Sequence, residues 1–473
     1  MSRILLVLVS LFTAACICTC PVLAADPAAG LSPSQLDELR ASLKMDAATH
    51  AAMNAVTNND IKDLALNRDI MMTNDDMFSF KLTTKGMTDQ ESTGRCWMFA
   101  GMNMMRQNVI QKYKLDDFEL SQSYLAFYDK LEKANVFLEF IIATTDRDLN
   151  DREIDQMLED PVGDGGYFGY VINIVQKYGV LPKKFMGESH SSANTGRMDQ
   201  ILTWSLRRDA SVLRGMAKAN KRMPELRAEK MKMLKDVYRV LVINYGEPPQ
   251  TFAWRVEDDS THEVSAPVTY TPLQFYHDVV ATDLGDYVSL VNYPDHPFAK
   301  NYSVNLTQSM ADRSDMTFIN LDVKQIKDCA LKSLLDSNRV WFGCDMGPDV
   351  NGKKGLMVKG LYNYEELFGI PLDMTKQERL DYRHSASNHA MVLVGVDMID
   401  GKPVKWKVEN SWGKDRGDDG FFTMSDEWFD EYVMNVVVPS KYVSADIMAI
   451  GKQKPTPLPV WDPMWKSLNK PTD

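Results

Sequence analysis

The sequence predicts an α+β fold in which a mainly helical half precedes a half that forms a sheet. Apolar residues recur at helical spacing through much of the segment from residue 96 to 240. Short β-branched and aromatic runs, bounded by Gly, Asp and Asn, fill the last third of the chain. With 473 residues, 44% of them hydrophobic, the chain can bury a sizeable core. This order of elements is typical of an α+β fold whose two halves face each other.

The first 24 residues have the layout of a secretory signal peptide. Arg3 precedes an apolar run, and the sequence VLA ends at Ala24, where we expect cleavage. The run is short for a membrane span, and no second apolar run of about 18 residues follows. We therefore expect an exported protein, periplasmic or secreted, without a transmembrane anchor. A lipid tether at Cys16 is the less favoured alternative, because Thr13 stands where a lipoprotein signal usually has leucine.

Charge and cysteine content exclude several classes of protein. The net charge is −12, and such a surface repels phosphate backbones, so no nucleic-acid partner is expected. Beyond the leader only Cys96, Cys329 and Cys344 remain, which is too few for a disulfide framework in an exported chain of this size. There is no CxxC pair and no His-rich zinc spacing, so the sequence predicts neither a metal site nor a cofactor.

Residues 25–75 form a predicted N-terminal leader segment, in which Ser32 or Ser34 caps a short amphipathic helix. The stretch MFSFKLTTKGMTDQ alternates and is rich in Phe and Thr, which predicts extended chain. It leads to QESTGRCWMFA, after which apolar residues follow helical spacing. Cys96 is therefore predicted to lie in the first turn of a long buried helix.

Further helices and then strands follow along the chain. Ser121 is a candidate cap for a second helix, and a DGG turn opens a third that ends at Gly179. Residues 197–240 are strongly helical and basic, and we favour a solvated helical pair with an inward apolar stripe over a polyanion site. The runs NRVWFGCDMG, HAMVLVGVDMI and VKWKVENSWG are predicted strands.

A cysteine at a helix start is a candidate nucleophile. Unpaired N–H groups and the helix dipole favour a thiolate there. Such chemistry needs a base, and His389 immediately precedes an apolar strand that would fix its backbone at a cleft edge. His384 lies in a polar loop and is the weaker candidate.

Other residues supply the remaining requirements of thiol catalysis. Asn410 follows a predicted strand, and its amide oxygen can accept the imidazole N–H and orient the ring. Trp412, two residues later, can shield that hydrogen bond from water. Gln90 precedes Cys96 by one loop and can donate, together with the Cys96 backbone N–H, to a developing oxyanion.

Taken together, QESTGRCWMFA, DGG, NHAMVLVGVD and VENSWG resemble the papain superfamily of cysteine peptidases. Arg95, the stretch ending LVINYGEPP, the long interval from Cys96 to His389 and the tail PVWDPM are similar to its bleomycin hydrolase and bacterial aminopeptidase C branch. The resemblance implies a papain-like two-lobed fold, with a helical lobe and an antiparallel sheet lobe. The catalytic domain would span 76–464 with a helical insertion at about 195–310, followed by a tail extension at 465–473.

The resemblance also implies roles for individual residues. Gly165 and Gly166 fall where family members pass the substrate backbone close to the cleft wall, although a simple turn explains them nearly as well. Trp412 would contribute to the same cleft. The implied catalytic roles are Cys96 as nucleophile, His389 as base and acid, Asn410 as orienting group and Gln90 as oxyanion donor.

The expected activity is that of a cysteine-type aminopeptidase acting on peptides through a thioester. A cysteine endopeptidase or acyl transferase is the alternative with the same chemistry, and a non-catalytic binding or scaffold protein is the alternative of another class. The resemblance further implies a homo-hexamer and a C-terminal arm that lies in the cleft. Nine residues follow Met464, whereas relatives stop sooner, so exo- or endopeptidase specificity stays open.

Overall fold

The protein is described by a computed structural model that covers residues 29–465. The predicted signal peptide, Cys16 and residues 466–473 of the tail lie outside the described residues. The described chain divides into two compact units. One comprises the residues up to Ala65 together with Leu367–Gly369, and the other runs over Leu66–Glu366 and from Ile370 onward. Within residues 29–465, no helix is long and apolar enough to cross a membrane.

The first unit contains three helices: α1 (Pro33–Ser42), α2 (Ala47–Asn58) and α3 (Ile61–Ala65). Of the two candidate caps for α1, Ser32 is the one used. Its side chain accepts from the backbone of Gln35, and the Gln35 side chain accepts from the Ser32 backbone, which forms a capping box.

The helices after Ala65 are α4 (Arg68–Thr73), α5 (Cys96–Tyr113), α6 (Gln122–Ala143), α7 (Arg152–Glu159), α8 (Phe168–Tyr178), α9 (Gly196–Lys218), α10 (Met223–Tyr245), α11 (Pro272–Phe275), α12 (Val323–Leu335), α13 (Tyr364–Phe368), α14 (Lys376–Asp381), α15 (Asp426–Tyr432) and α16 (Ala445–Gly451). A π-helical turn, Tyr276–Val280, continues α11. Short 3₁₀ turns are Lys183–Phe185, Leu284–Asp286 and Ser440–Tyr442.

The strands are β1 (Phe80–Lys81), β2 (Phe252–Trp254), β3 (Val268–Tyr270), β4 (Tyr287–Val291), β5 (Lys300–Val304), β6 (Thr317–Asn320), β7 (Val340–Cys344), β8 (Val350–Asn351), β9 (Leu356–Met357), β10 (His389–Ile399), β11 (Lys402–Glu409), β12 (Phe421–Ser425), β13 (Val433–Pro439) and β14 (Thr456–Leu458). Twelve of them form one sheet in the order β14-β5-β6-β4-β13-β7-β10-β11-β12-β9-β8, with β1 added to β10, while β2 and β3 pair separately. The pairs β4–β6, β5–β14 and β9–β12 are parallel, and the other pairs of this sheet are antiparallel.

Several predicted element boundaries are confirmed. Cys96 is the first residue of α5, and the Ser121 side chain caps α6 by accepting from the backbone of Tyr124. Gly179 ends α8 with a positive φ of 72°, a conformation that glycine adopts without steric cost. The mixed content of helices and sheet confirms the predicted α+β class.

Helix α5 is buried over most of its length and packs against β7 and β10. This packing brings the start of α5 to the beginning of β10, since both elements belong to the same hydrophobic core. In the stretch predicted as extended chain, only Phe80–Lys81 forms a strand, which pairs with β10 at Val396 and Gly395.

The segment predicted as a helical insertion is only partly helical. Its long helices α9 and α10 pack on α6 and turn Leu202, Leu206 and Leu213 inward, as the apolar stripe predicts. Helix α9 ends at Lys218, and α10 ends at Tyr245. The strands β4 and β5, which also lie within 195–310, belong to the main sheet, where β4 pairs with β13 and β6, and β5 pairs with β6 and β14.

Candidate active site

The nucleophile candidate lies at a buried helix start. The Cys96 side chain is 2% exposed, and the backbone N–H groups of Ala390, Trp97 and Cys96 itself reach its sulfur. Burial raises the pKa of the thiol to about 12, and those N–H groups only partly offset the desolvation. The N–H groups at the helix start thus act in the predicted direction, toward the thiolate, and whether the thiolate forms in the free site stays a prediction.

His389 is held by Asn410 in one defined orientation. Its Nε2 lies 2.8 Å from Asn410 Oδ1, and the backbone N–H of Ser411 donates to the same Oδ1 at 2.8 Å. A backbone N–H bonds only to an acceptor, so this atom is the amide oxygen and Nε2 must be the donor. In the neutral ring the proton is then on Nε2, and Nδ1 carries the lone pair that a base needs.

The backbone N–H of Ala390, the residue that follows His389, reaches the Cys96 sulfur, so His389 and Cys96 lie close together in the fold. Burial lowers the pKa of His389 to about 4, and the hydrogen bond to Asn410 opposes this shift only in part. The free site thus favours a neutral thiol next to a neutral imidazole. His384, the other candidate base, is exposed and lies outside this arrangement.

Trp412 covers the imidazole. Its ring centroid lies 4.9 Å from that of His389 at an interplanar angle of 39°, and Phe422 packs against its other edge. Asn410 is buried, and its Nδ2 has no hydrogen-bond partner among the described residues. The geometry matches the predicted shielding of the His389–Asn410 bond, whereas a role of Trp412 in substrate binding stays a prediction.

Gln90 is buried next to the same segment. Its Oε1 accepts from Ser411 Oγ at 2.7 Å, and its Nε2 donates to the carbonyl of Thr93 at 2.7 Å. An amide nitrogen has two N–H groups, so one donor remains unengaged among the described residues. This free N–H is the group that the predicted oxyanion role requires, and that role stays a prediction.

The two predicted glycines, Gly165 and Gly166, contact side chains of α6 and α5. The carbonyl of Gly165 accepts from Lys133 Nζ at 2.7 Å, and the same ammonium group binds the carbonyl of Gly163 and the carboxylate of Asp129. Gly166 backs onto Trp97, where a Cβ would lie only 2.5 Å from Cε2 of the indole. The close backbone approach that glycine permits is therefore made to Trp97, and a contact with substrate stays a prediction.

A cluster of buried charged side chains lies next to this loop, and this cluster was not predicted from the sequence. Lys130 pairs with Asp164 at 2.7 Å and with Asp199 at 2.5 Å, while Arg95 pairs with Glu188 at 3.2 Å. Burial alone would raise the pKa of Asp164, but the charge of Lys130 and its hydrogen bond hold that pKa well below its usual range. Asp164 also accepts from the backbone N–H of Gly94, two residues before the nucleophile.

The tail sequence PVWDPM is anchored on the rest of the described chain by two of its side chains. Trp461 lies under the guanidinium of Arg152 at 4.1 Å, and Met464 is buried. The next residue, Trp465, stacks on Tyr167 with ring centroids 4.5 Å apart. Because Tyr167 directly follows Gly166, the described chain ends next to the glycine loop.

One further contact holds this tail. His296 Nε2 lies 2.9 Å from Asp462 Oδ1, which also accepts from the backbone N–H of Met464. Asp295 lies in the same group, in which the ligating atoms of the three side chains all fall within 4.8 Å of one another. The hydrogen bond to Asp462 and the nearby charge of Asp295 raise the pKa of His296 above its ordinary value despite partial burial.

The chain is similar to known proteins over almost its whole length. The model of the Peptidase C1-like family matches residues 30–465. Aminopeptidase C of Lactobacillus helveticus is 38% identical over 420 residues, which cover 88% of this chain and 93% of that protein. Bleomycin hydrolase of Mus musculus is 37% identical over 449 residues, or 92% of this chain and 98% of its own.

A solved structure shows the same fold. The crystal structure of PepW from Lactobacillus rhamnosis HN001 (DR20) matches with a TM-score of 0.89 and 38% sequence identity, and the match covers 92% of this chain and 99% of that one. The chain therefore belongs to the Peptidase C1-like family, in the branch of papain-like cysteine peptidases that includes aminopeptidase C and bleomycin hydrolase.

Proposed function

We propose that the protein is a cysteine aminopeptidase in which Cys96 is the nucleophile and His389 the base. The observation that carries the proposal is the 2.8 Å bond from His389 Nε2 to Asn410 Oδ1, which leaves the Nδ1 lone pair available as a base, while the N–H of the next residue, Ala390, reaches the Cys96 sulfur. Family membership supports the same chemistry, since the relatives named above include an aminopeptidase C and a bleomycin hydrolase.

The reaction follows from the protonation states of the free site. Because burial favours a neutral thiol and a neutral imidazole, Nδ1 of His389 takes the thiol proton as Sγ attacks the substrate carbonyl. The C–N bond then breaks, the imidazolium protonates the leaving amine, and an acyl thioester remains on Cys96. Water attacks the thioester with His389 as base, which releases the carboxylate product and restores the thiol.

The charge that develops on the substrate oxygen needs donors that are already in place. The backbone N–H of Cys96 lies at the start of α5, where helix N–H groups have no partner within the helix. The unengaged N–H of Gln90 Nε2 is the second proposed donor. Asn410 keeps the imidazole facing sulfur through both proton transfers, and Trp412 excludes water from that bond.

Specificity for free N-termini is proposed to come from the tail. Trp465 stacks on Tyr167, which directly follows the loop that backs onto Trp97, and the family resemblance implies a C-terminal arm in the cleft. A terminal carboxylate placed there would pair with a substrate ammonium group. Residues 466–473 extend beyond this point, so we propose that they are trimmed, or that the uncut enzyme shifts toward endopeptidase cleavage.

Titration with an irreversible thiol-directed inhibitor tests the catalytic proposal. Hydrolysis of an aminoacyl fluorogenic substrate should fall in proportion to the inhibitor bound, and Cys96→Ser should lose more than about a thousandfold in kcat/KM while staying folded. A folded Cys96→Ser protein with activity within about threefold of wild type would remove Cys96 from the reaction. If the inhibitor reacts with the wild-type thiol but the wild type does not hydrolyse the substrate, the non-catalytic alternative is favoured.

A truncation tests the specificity proposal. The chain cut after Leu468 and the full-length chain, its Asp473 confirmed by mass, are compared on free and N-acetylated peptides. The proposal expects a difference in rate or in the ratio of the two substrates. If both forms cleave only free N-termini at the same rate, the tail extension does not affect specificity.

Export and assembly are proposed from the sequence and from the resemblance. We propose a periplasmic or secreted enzyme, with a lipid tether at Cys16 as the less favoured form, and a homo-hexamer. N-terminal sequencing with intact mass tests the cleavage after Ala24, and light scattering of the purified protein tests the hexamer.

A further inference from the structure

We propose that Arg106 is a positioning residue that sets the relative placement of the three segments that carry Cys96, Gln90 and Asn410. The inference rests on the proposed function, because it assigns a task within that site. Arg106 itself lies about 15 Å along α5 from Cys96, so it acts at a distance from the sulfur.

Arg106 is a cation buried on the same helix as the nucleophile. Its side chain is 1% exposed. The Nη2 group donates to Glu409 Oε1 at 2.7 Å and to the carbonyl of Gly86 at 3.0 Å. The Nη1 group donates to the carbonyl of Lys85 at 3.0 Å and to that of Phe118 at 3.4 Å. One guanidinium thus joins α5, the segment before Gln90 and the end of β11.

Glu409, the carboxylate that pairs with Arg106, is adjacent in sequence to Asn410, the proposed orienting group of His389. Glu409 is the last residue of β11, and Asn410 follows it without an intervening residue. The Glu409 side chain is 0% exposed, and its Oε2 has no hydrogen-bond partner among the described residues. Its placement therefore depends on the bond to Arg106. Arg339 contributes only through its charge, while its own guanidinium bonds the carbonyl of Thr83.

Arg106 also constrains the segment that precedes Gln90. Gly86 has a positive φ of 71°, and a Cβ there would lie 2.7 Å from Arg106 Nη1, so the backbone approaches the guanidinium as closely as glycine allows. Four residues later, the backbone N–H of Gln90 donates to the carbonyl of Ser411 at 2.8 Å. The segment from Gly86 to Gln90 is therefore fixed by Arg106 at one end and by the neighbour of Asn410 at the other.

This arrangement matters because the reacting groups come from three separate stretches of chain. Proximity effects fall steeply with displacement, and a misplacement of about 1 Å can cost about 100-fold in rate. The planar guanidinium binds three carbonyl groups and a carboxylate at once in a fixed geometry. A lysine ammonium keeps the charge but not that fork.

The experiment compares Arg106→Lys and Glu409→Gln with the control Glu132→Gln in the full-length enzyme. Glu132 is also a buried carboxylate, 8% exposed and paired with Lys177 at 2.7 Å, but its bonds go only to Lys177 and to Tyr178, away from the site-bearing segments. Active sites are counted with an irreversible thiol-directed inhibitor, and kcat is expressed per counted site. The rate of Cys96 alkylation by iodoacetamide is measured from pH 4 to 10.

We expect both test variants to lose about 10- to 100-fold in kcat per counted site, with KM changed little. Their alkylation profiles should shift along the pH axis, since a displaced imidazole alters the ionisation of the thiol. Glu132→Gln should match the wild type in both measurements. Glu409→Gln keeps the side-chain volume and one acceptor oxygen, so it decides the question if Arg106→Lys does not fold.

Two results would overturn the inference. One is a folded Glu409→Gln enzyme with wild-type kcat per site and an unchanged alkylation profile. The other is a loss of countable sites with normal kcat at those that remain, which is the behaviour of a purely structural pair. If the wild type alkylates normally but hydrolyses no peptide, the proposed function fails, and the alkylation profiles still decide the role of Arg106.

Discussion

Replacing Gly166 by alanine should disturb the site through Trp97 and not through lost substrate contacts. The added Cβ would lie 2.5 Å from Cε2 of the indole and 2.8 Å from Cδ2 and Cζ2. Carbon atoms pack at about 3.5 to 4.0 Å, so the ring or the loop must move by about 1 Å. Trp97 has no room to yield, because it is fully buried and its Nε1 donates to the carbonyl of Asp164 at 2.7 Å.

The magnitude follows from this overlap. Overpacking of a filled core costs about 1 to 3 kcal/mol, so the free energy of unfolding should fall by that amount. Trp97 is joined to Cys96, and a shift of about 1 Å at the nucleophile should lower kcat/KM by about 100-fold. Urea unfolding measures the first quantity, and hydrolysis of an aminoacyl fluorogenic substrate, normalised to titrated thiols, measures the second.

Gly215 provides the matched control. It lies within α9, and a Cβ there would meet no atom within 4 Å. Gly215→Ala should stabilise the helix by about 0.5 to 1 kcal/mol and leave activity unchanged. If Gly166→Ala instead unfolds at the wild-type urea concentration and keeps wild-type kcat/KM, the packing argument is refuted.

Three further predictions concern the imidazoles and their partners. His389→Ala should lose activity by several orders of magnitude, and His384→Ala should change it little. The two variants are assayed at the same pH. The reverse result would identify His384 as the base. Asn410→Ala should cost less than His389→Ala in kcat/KM, because it removes orientation but not the base; an equal loss would contradict that division of roles. The bond to Asp462 raises the pKa of His296, so this pair stabilises the tail below the ordinary histidine pKa of about 6.5 and loses its effect as pH rises through the raised value. The rate of proteolytic release of the C-terminal segment from the wild type is divided by the rate from His296→Gln under the same conditions. This ratio should therefore rise toward one at alkaline pH. A ratio that stays constant with pH would exclude the pair as an anchor.

Local sequence was sufficient wherever one residue and its neighbours determine the structure. Cys96 begins its helix, Ser121 caps the next one, and Gly179 ends a third with the positive φ that glycine favours. His389 begins the strand that its apolar run predicts. In each case hydrophobic periodicity or a cap acts within a few positions of the residue concerned.

Features that depend on burial in the folded protein could not be predicted from the local sequence. Lys130 and Arg106 are charged residues inside helical patterns, where a solvated face is the ordinary expectation, yet both are buried in ion pairs. Their partners lie far away along the chain, and Glu409 is 303 positions from Arg106. For the same reason the sequence shows the helix position that lowers the pKa of Cys96 but not the desolvation that raises it.

The wide separation of the paired segments also affects when the enzyme becomes active during its synthesis. Gln90 bonds Ser411 across 321 positions, and Arg106 bonds Glu409 across 303. A ribosome adding about 5 to 20 residues per second needs roughly 15 to 60 s to pass from the thiol helix to the strand that ends at Glu409. Through most of that interval a nascent chain has Cys96 but lacks His389, and throughout it the chain lacks Asn410. Translation that stops early therefore yields fragments without hydrolytic competence, and proteolysis by this protein begins only with a nearly completed chain.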